Sequence, residues 1–209
     1  MPEVAVAILA RDPLRAKSRL APDLLPPSRA LLARAMFEDV LDAACGSGAG
    51  RVLVVSESAV LCALAEARGA AALMTPARGT NAAAEAARAA LAAGDHGVLI
   101  LHADLPCARP ADLAALLRAR GIVIVPDRRR AGTNALLLPA GSALRPRFGP
   151  GSFARHVAAA RATGEPWRAA VVPRLALDID TTADLRALRR AGLGVGVATR
   201  AALSAIAAG

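Results

Sequence analysis

The residues best suited to chemistry in this chain are charged groups set at the ends of apolar runs. Val98 to Leu101 is unbroken apolar sequence, Asp104 follows it, and Pro106 then stops further strand pairing. A carboxylate just beyond a buried strand lies where open α/β sheets bind ligands. There it is a candidate metal ligand for a phosphate substrate. The same position also suits a plain cap for the turn towards Pro110. Asp178 and Asp180 form a second acidic pair, in the run Leu175-Ala-Leu-Asp-Ile-Asp. Residues two apart in a strand point the same way, and two like charges there are costly unless a cation or a cap satisfies them. Asp180-Thr-Thr-Ala-Asp-Leu also reads as a helix start with Asp180 as its cap.

The basic counterpart is the irregular stretch 10–27, which carries Arg15, Lys17 and Arg19. These side chains can grip the phosphates of a nucleotide, arginine through its planar fork and lysine as a point charge. The alternative is a solvated basic loop. Phe148-Gly-Pro-Gly-Ser-Phe153 precedes a helix expected from about Ser152. Glycines there let backbone N–H groups approach an anion, and Ser152 adds a hydroxyl; a packing role for the phenylalanines competes.

A nucleophile is missing from this set. No serine stands in G-x-S-x-G and no cysteine pairs recognisably with a histidine; neither a Walker-type phosphate loop nor a dinucleotide fingerprint occurs. A substrate phosphate oxygen is already anionic and needs no general base. With such a nucleophile, catalysis reduces to positioning and to neutralisation by Mg²⁺ and basic side chains.

The elements that must position these groups alternate. Val4 to Leu9 reads as a first strand, and Ser28 caps a helix with Leu31, Leu32, Ala35, Met36, Val40 and Leu41 on its apolar face. A strand at Val52 to Val55, a helix from Ala59 to Arg68 and a strand from Ala71 to Met74 follow. This β-α-β-α-β order predicts a parallel sheet with right-handed crossovers. Arg78-Gly79-Thr80-Asn81 opens a helix to about Ala93, with Thr80 or Asn81 as N-cap and the turn also placed to meet a nucleotide. After the strand ending near Asp104 come a helix over Ala111 to Arg120 and a strand over Ile122 to Val125. Beyond Pro126 the alternation breaks into a basic turn and the run Leu136 to Leu138. Gly-Thr-Asn-Ala occurs twice, at 79–82 and 132–135, and holds both asparagines of the chain. Strands at Ala169 to Val172 and Leu175 to Asp180 are expected to close the sheet. Residues 192–209 read as a Gly/Ala-rich tail with no assigned structure, after a single α/β domain over 1–191.

Composition narrows the classes. The 209 residues are 55% hydrophobic, which is ample for one core, and no apolar run is long enough to span a bilayer. Met1-Pro2-Glu3-Val4 lacks the pattern of a signal peptide, so a cytoplasmic location is expected. Cys45, Cys62 and Cys107 show no metal or disulfide spacing and read as reduced, structural thiols. A net charge of +9 raises nucleic acid as a partner, but the arginines are scattered and aromatics are 2%. Of 26 basic residues only Lys17 is lysine, and glutamine is absent. Lys17, Asn81 and Asn134 therefore stand out as residue types kept for a reason.

Arg15-Ala-Lys-Ser-Arg-Leu-Ala-Pro22, Ala103-Asp-Leu-Pro106, Gly132-Thr-Asn-Ala-Leu136, Phe148-Gly-Pro-Gly-Ser-Phe-Ala-Arg-His156 and Leu177-Asp-Ile-Asp-Thr181 together resemble the phosphoenolpyruvate/2-phospho-L-lactate guanylyltransferases. These enzymes serve biosynthesis of the deazaflavin coenzyme factor 420. The resemblance implies a single-domain, Rossmann-like, glycosyltransferase-A-like mixed sheet, mostly parallel, with helices on both faces; such proteins are often dimeric. It implies transfer of GMP from GTP to phosphoenolpyruvate, 2-phospho-L-lactate or 3-phospho-D-glycerate, with pyrophosphate released and neither nucleic acid nor membrane as partner. Carried over by position, Asp104, Asp178 and Asp180 would hold Mg²⁺. Thr133, Gly149 and Ser152 would bind the acid. Lys17 and Arg19, with Arg15 nearby, would hold the GTP phosphates, and Gly79, Thr80 and Asn81 would lie by the nucleotide. The family often has lysine where this chain reads Arg11-Asp12-Pro13. A related nucleotidyltransferase for a molybdopterin or sugar phosphate predicts a glycine-rich turn after the first strand, where this chain has Leu9-Ala-Arg-Asp. A basic nucleic-acid-binding module predicts clustered arginines.

Overall fold

A computed structural model describes residues 4–76, 79–91 and 96–208. Arg78, the end of the expected third helix at Ala92-Ala93 and the segment Met1–Glu3 lie outside the described residues. Seven strands form one sheet: β1 (Val4–Ala10), β2 (Val52–Ser56), β3 (Ala71–Met74), β4 (Gly97–His102), β5 (Ile122–Pro126), β6 (Thr133–Leu138) and β7 (Trp167–Ala169), in the order β3-β2-β1-β4-β6-β5-β7. All neighbouring pairs are parallel except those of β6, which runs antiparallel to β4 and β5. The chain winds outward from β1 to β3 and then returns to the other side of β1 at β4. In open α/β sheets such a switch point, beyond the C-terminal ends of β1 and β4 here, is where ligands bind.

Both faces are covered, as the near-continuous apolar composition of β1 and β4 requires. Helices α1 (Pro26–Cys45), α2 (Ala59–Ala67) and α4 (Pro110–Leu117) bury Phe37, Leu41, Leu61 and Leu113 on one face. Helices α3 (Thr80–Leu91) and α5 (Ser152–Thr163) cover the other with Ala84, Ala87, Leu91 and Ala160. Helices α6 (Thr182–Arg190) and α7 (Val197–Ala208) join a third cluster, in which Leu20, Leu32, Met36, Leu177, Ile179 and Leu188 are buried.

Several expectations are corrected. Residues 175–180 form no strand; the sheet ends instead at β7, which lies upstream of the expected Ala169 to Val172. The register of β7 is set by Ile122 pairing with Trp167, and Ala170 N then donates to the Ile124 carbonyl at 2.9 Å. The chain next crosses above the strand ends, where Arg128 N bonds Ala176 O (2.7 Å) and Ile179 N bonds Asp104 O (3.2 Å). Helix α1 begins at Pro26 with Leu25 as cap position, so Ser28 lies inside it; the leading prolines have no N–H to satisfy. Thr80 and Asn81 likewise sit inside the first turn of α3 rather than capping it. Thr181, not Asp180, caps α6, in a capping box with Asp184.

The Gly/Ala-rich tail contains α7, seated on α1. Buried Asp39 accepts from Ala198 N (3.0 Å) and Thr199 N (2.8 Å), serving the free donors of the helix start. A side chain at Gly196 would overlap that carboxylate, so glycine allows the approach. The three cysteines are free thiols, Cys62 and Cys107 buried and Cys45 exposed.

Candidate active site at the crest of the sheet

The loop after β1 turns back towards the sheet through a 3-10 turn, Ser18–Leu20. Leu20 is fully buried and anchors it, a burial worth roughly 2 kcal/mol. Lys17 precedes the turn in left-handed backbone conformation, φ 57° and ψ 35°, which costs a non-glycine residue about 1 kcal/mol. That turn directs its side chain inward. Lys17 Nζ lies 2.5 Å from Asp104 Oδ2 and 2.9 Å from Asp180 Oδ1, with 7% of the side chain exposed. Arg19, 71% exposed, reaches the other oxygen of Asp180 at 3.6 Å. Arg15 is exposed on the preceding turn, and Asp12 there accepts from Leu14 N (3.0 Å), so its carboxylate is spent closing the turn.

The electrostatics follow from this cluster. Burial alone would lower the Lys17 pKa, but Asp104 and Asp180 outweigh it and raise it. Burial pushes the Asp104 carboxyl up, and the Lys17 charge with His102 more than reverses this. Both groups are therefore charged at neutral pH. Asp104 Oδ1 is buried and has no hydrogen-bond partner among the described residues.

Asp178 and Asp180 alternate with Leu177 and Ile179, whose side chains fill the third apolar cluster. The period-two pattern thus holds although the segment belongs to no sheet. The two acids nonetheless part company. Asp178 Oδ1 accepts from Asn134 Nδ2 at 3.1 Å, and the same nitrogen donates to Leu175 O at 3.0 Å. Burial, then the charge of Asp104, lifts the Asp178 carboxyl to about 6, against the Asn134 hydrogen bond. Among the described residues no three His, Cys, Asp or Glu side chains gather into a closed metal centre; between Asp104 and Asp180 the intervening charge is that of Lys17.

Thr133 begins β6, and the antiparallel course of that strand brings it to the crest beside the end of β4. Thr133 Oγ1 lies 2.9 Å from His156 Nδ1, and His156 Nε2 accepts from Arg147 N at 2.8 Å. With Nε2 an acceptor, Nδ1 carries the proton and donates to Thr133, which leaves the threonine hydroxyl hydrogen for another acceptor. Burial, with Arg155 next, lowers the His156 pKa to about 4, so the ring is neutral.

Gly149 has φ 112°, a region closed to most side chains, and starts the turn into α5. Ser152 is buried at the first position of that helix, and its N–H donates to Gly149 O at 3.0 Å. Asn81 reaches across from α3: Phe148 N donates to its Oδ1 (2.6 Å) and its Nδ2 donates to Phe148 O (3.2 Å). The turn starting at Gly79 is therefore tied to the Phe148–Ser152 loop. Arg155 holds the carbonyls of Arg147 and Phe148 as well.

The structure brings together Lys17, Arg19, Asp104 and Asp180 directly, and Asp178 through the charge of Asp104. Thr133 is bonded to His156 on α5, the helix that Ser152 opens after Gly149, and Asn81, next to Gly79 and Thr80, is tied to Phe148 at the start of that loop. Sequence reasoning singled out Asn134 without giving it a role, and gave none to His156 or His102. Asn134 stood out as one of two asparagines, and His156 lay in the quoted Phe148–His156 motif. His102 packs its ring 5.0 Å from Phe148, and its buried Nε2 has no hydrogen-bond partner among the described residues.

Residues 5–201 match the family model described as "Guanylyl transferase CofC like". A phosphoenolpyruvate guanylyltransferase of Rubrobacter xylanophilus is 45% identical over 182 residues, covering 85% of this chain and 89% of that protein. A 3-phospho-D-glycerate guanylyltransferase of Phenylobacterium zucineum is 40% identical, covering 91% and 92%. Among solved structures, a Desulfovibrio desulfuricans G20 protein described as a nucleotide-diphospho-sugar transferase superposes with a TM-score of 0.76 at 18% identity, covering 100% of this chain and 96% of the other. That likeness places the mixed seven-stranded sheet in the nucleotide-diphospho-sugar transferase fold.

Proposed function

This chain belongs to the family of CofC-like guanylyl transferases, and from that membership we propose that it transfers GMP from GTP to a small phosphorylated carboxylic acid. Phosphoenolpyruvate is the acceptor this reading favours, because the 45% identical relative carries that name and the 3-phospho-D-glycerate enzyme is 40% identical. The product serves biosynthesis of the deazaflavin coenzyme factor 420, in the cytoplasm. No described helix is long and apolar enough to cross a membrane.

The observation that carries the reading is the pairing of two unlike subsites along one crest. One is the Lys17–Asp104–Asp180 cluster, suited to polyphosphate and its counter-ion. The other is the Thr133 hydroxyl, oriented by neutral His156 on the helix that Ser152 opens, suited to a small anion. A phosphate oxygen of the acid attacks the α-phosphorus of GTP, the α–β anhydride bond breaks, and pyrophosphate leaves. No proton need move. Thr133 and the α5 start hold the acid in line, while Lys17 and Arg19 neutralise the departing phosphates.

The oxygen-only donors Asp104 and Asp180, with Asp178 alongside, fit a hard cation such as Mg²⁺, and the unpartnered buried Asp104 Oδ1 is a ready ligand atom. When bound, the ion supplies charge neutralisation at the phosphates.

The test is pyrophosphate release with GTP and Mg²⁺, offering phosphoenolpyruvate, 2-phospho-L-lactate and 3-phospho-D-glycerate separately. Release with one acid names the acceptor; silence with all three from folded protein overturns the reading. Asp104→Asn should lower the rate at least about a thousandfold with an unchanged far-UV spectrum, since several kcal/mol of charge stabilisation depend on the carboxylate.

A further inference from the structure

The acidic cluster is held by a lysine where the chemistry above calls for a metal. Lys17 Nζ bridges Asp104 Oδ2 at 2.5 Å and Asp180 Oδ1 at 2.9 Å, while Asp178 is bonded to Asn134 instead. A divalent ion within reach of the same two oxygens would stand against the ammonium, and like charges so close repel. Each therefore excludes the other. Lys17 also has the means to leave. It stands at a left-handed residue opening a short 3-10 turn, its stem is flexible, and Arg11, Leu14 and Arg15 on the loop before it are exposed.

We propose that Lys17 is the exchangeable counter-ion of the Asp104–Asp180 pair, holding the carboxylates together until a metal–nucleotide complex arrives and then passing to the nucleotide phosphates. The inference rests on the reading in the preceding section and deepens it. Before exchange, Lys17 is a positioning residue: its charge holds the Asp104 carboxyl below the usual carboxylate range and keeps the half-exposed Asp180 side chain adjacent to it. The nucleotide supplies what the ion alone lacks, a new anionic partner for the displaced ammonium. Metal and nucleotide thus bind together, and the ion by itself binds weakly.

The experiment measures Mn²⁺ binding, from the electron paramagnetic resonance signal of the free ion, at pH 8 without nucleotide and, for wild type, also with a GTP analogue. Wild type is compared with Lys17→Met and Lys17→Arg, and Lys17→Gln serves if the methionine variant does not fold. Exchange predicts that removing the competing charge tightens Mn²⁺ binding at least tenfold, while Lys17→Arg stays near wild type. A lysine needed only for folding would give the opposite direction. Equal or weaker Mn²⁺ binding by the folded neutral variant overturns the proposal, as does a wild type that binds Mn²⁺ equally well with and without a GTP analogue. Wild-type pyrophosphate release is measured alongside. Its absence removes the functional reading as well, whereas normal turnover with unchanged Mn²⁺ affinities removes the exchange alone.

Discussion

His156→Phe tests whether a neutral histidine supports the anion subsite. The ring is 0% exposed, packs edge-on to Phe148 at 5.1 Å, and joins Arg147 N to Thr133 Oγ1. Phenylalanine keeps a ring there but leaves the Arg147 N–H without its acceptor, a loss of about 1–3 kcal/mol at neutral pH. The pH dependence is sharper. In the unfolded chain this histidine takes up a proton near 6.5, but in the folded protein only near 4. Its contribution is therefore fully present above pH 6.5 and is lost as pH falls towards 4, because the unfolded state binds the proton first. Between pH 7.5 and 4.5 the linkage is worth about 2.5 kcal/mol. Urea unfolding of both proteins at pH 7.5, 6.0, 5.0 and 4.5 gives the difference directly, and all other titrations cancel in it. The wild-type advantage should shrink by about that amount towards pH 4.5. A difference that stays constant, or grows on acidification, would refute the neutral, doubly bonded ring.

Two further substitutions separate the roles of the asparagines. Asn134→Ala removes the bonds to Leu175 O and Asp178 Oδ1 and should cost about 2–4 kcal/mol of stability. Without that bond the Asp178 carboxyl, already raised to about 6 by burial and Asp104, rises further. The acid limb of kcat/KM should then move to higher pH; an unmoved limb counts against Asp178 acting as a carboxylate. Asn81→Ala frees the Phe148 backbone. It should raise KM for the acid roughly tenfold, the equivalent of about 1.4 kcal/mol, and leave KM for GTP within about twofold. The reverse split would return Asn81 to direct nucleotide contact.

Much of the strand and helix order was legible in the chain. Buried parallel strands need unbroken apolar runs, so Val4 to Leu9, Val52 to Val55 and Val98 to Leu101 announced themselves. Chemistry-bearing types were legible for a related reason. A chain with one lysine and two asparagines leaves few side chains to account for, and all three lie at the crest. The acidic run 175–180 was misread as a strand because alternation of apolar and acidic residues reports a two-sided environment, and not what pairs with the backbone. Besides local bonds to Val172 and the Asp184 side chain, its backbone meets Arg128, Asp104 and the Asn134 side chain, all distant in sequence.

By itself, then, the sequence determined which residues are buried, where strands and helices recur, and which groups can bear charge at their ends. These depend on local periodicity and residue type. The tertiary structure decided their partners. The reversed direction of β6 carries Thr133 and Asn134 to the crest, where a parallel strand would have left them at the opposite end of the sheet. The left-handed turn at Lys17 sends the lysine inward, to Asp104 and Asp180, 87 and 163 residues away. Contacts over such separations depend on strand order and chain direction, which no local pattern encodes.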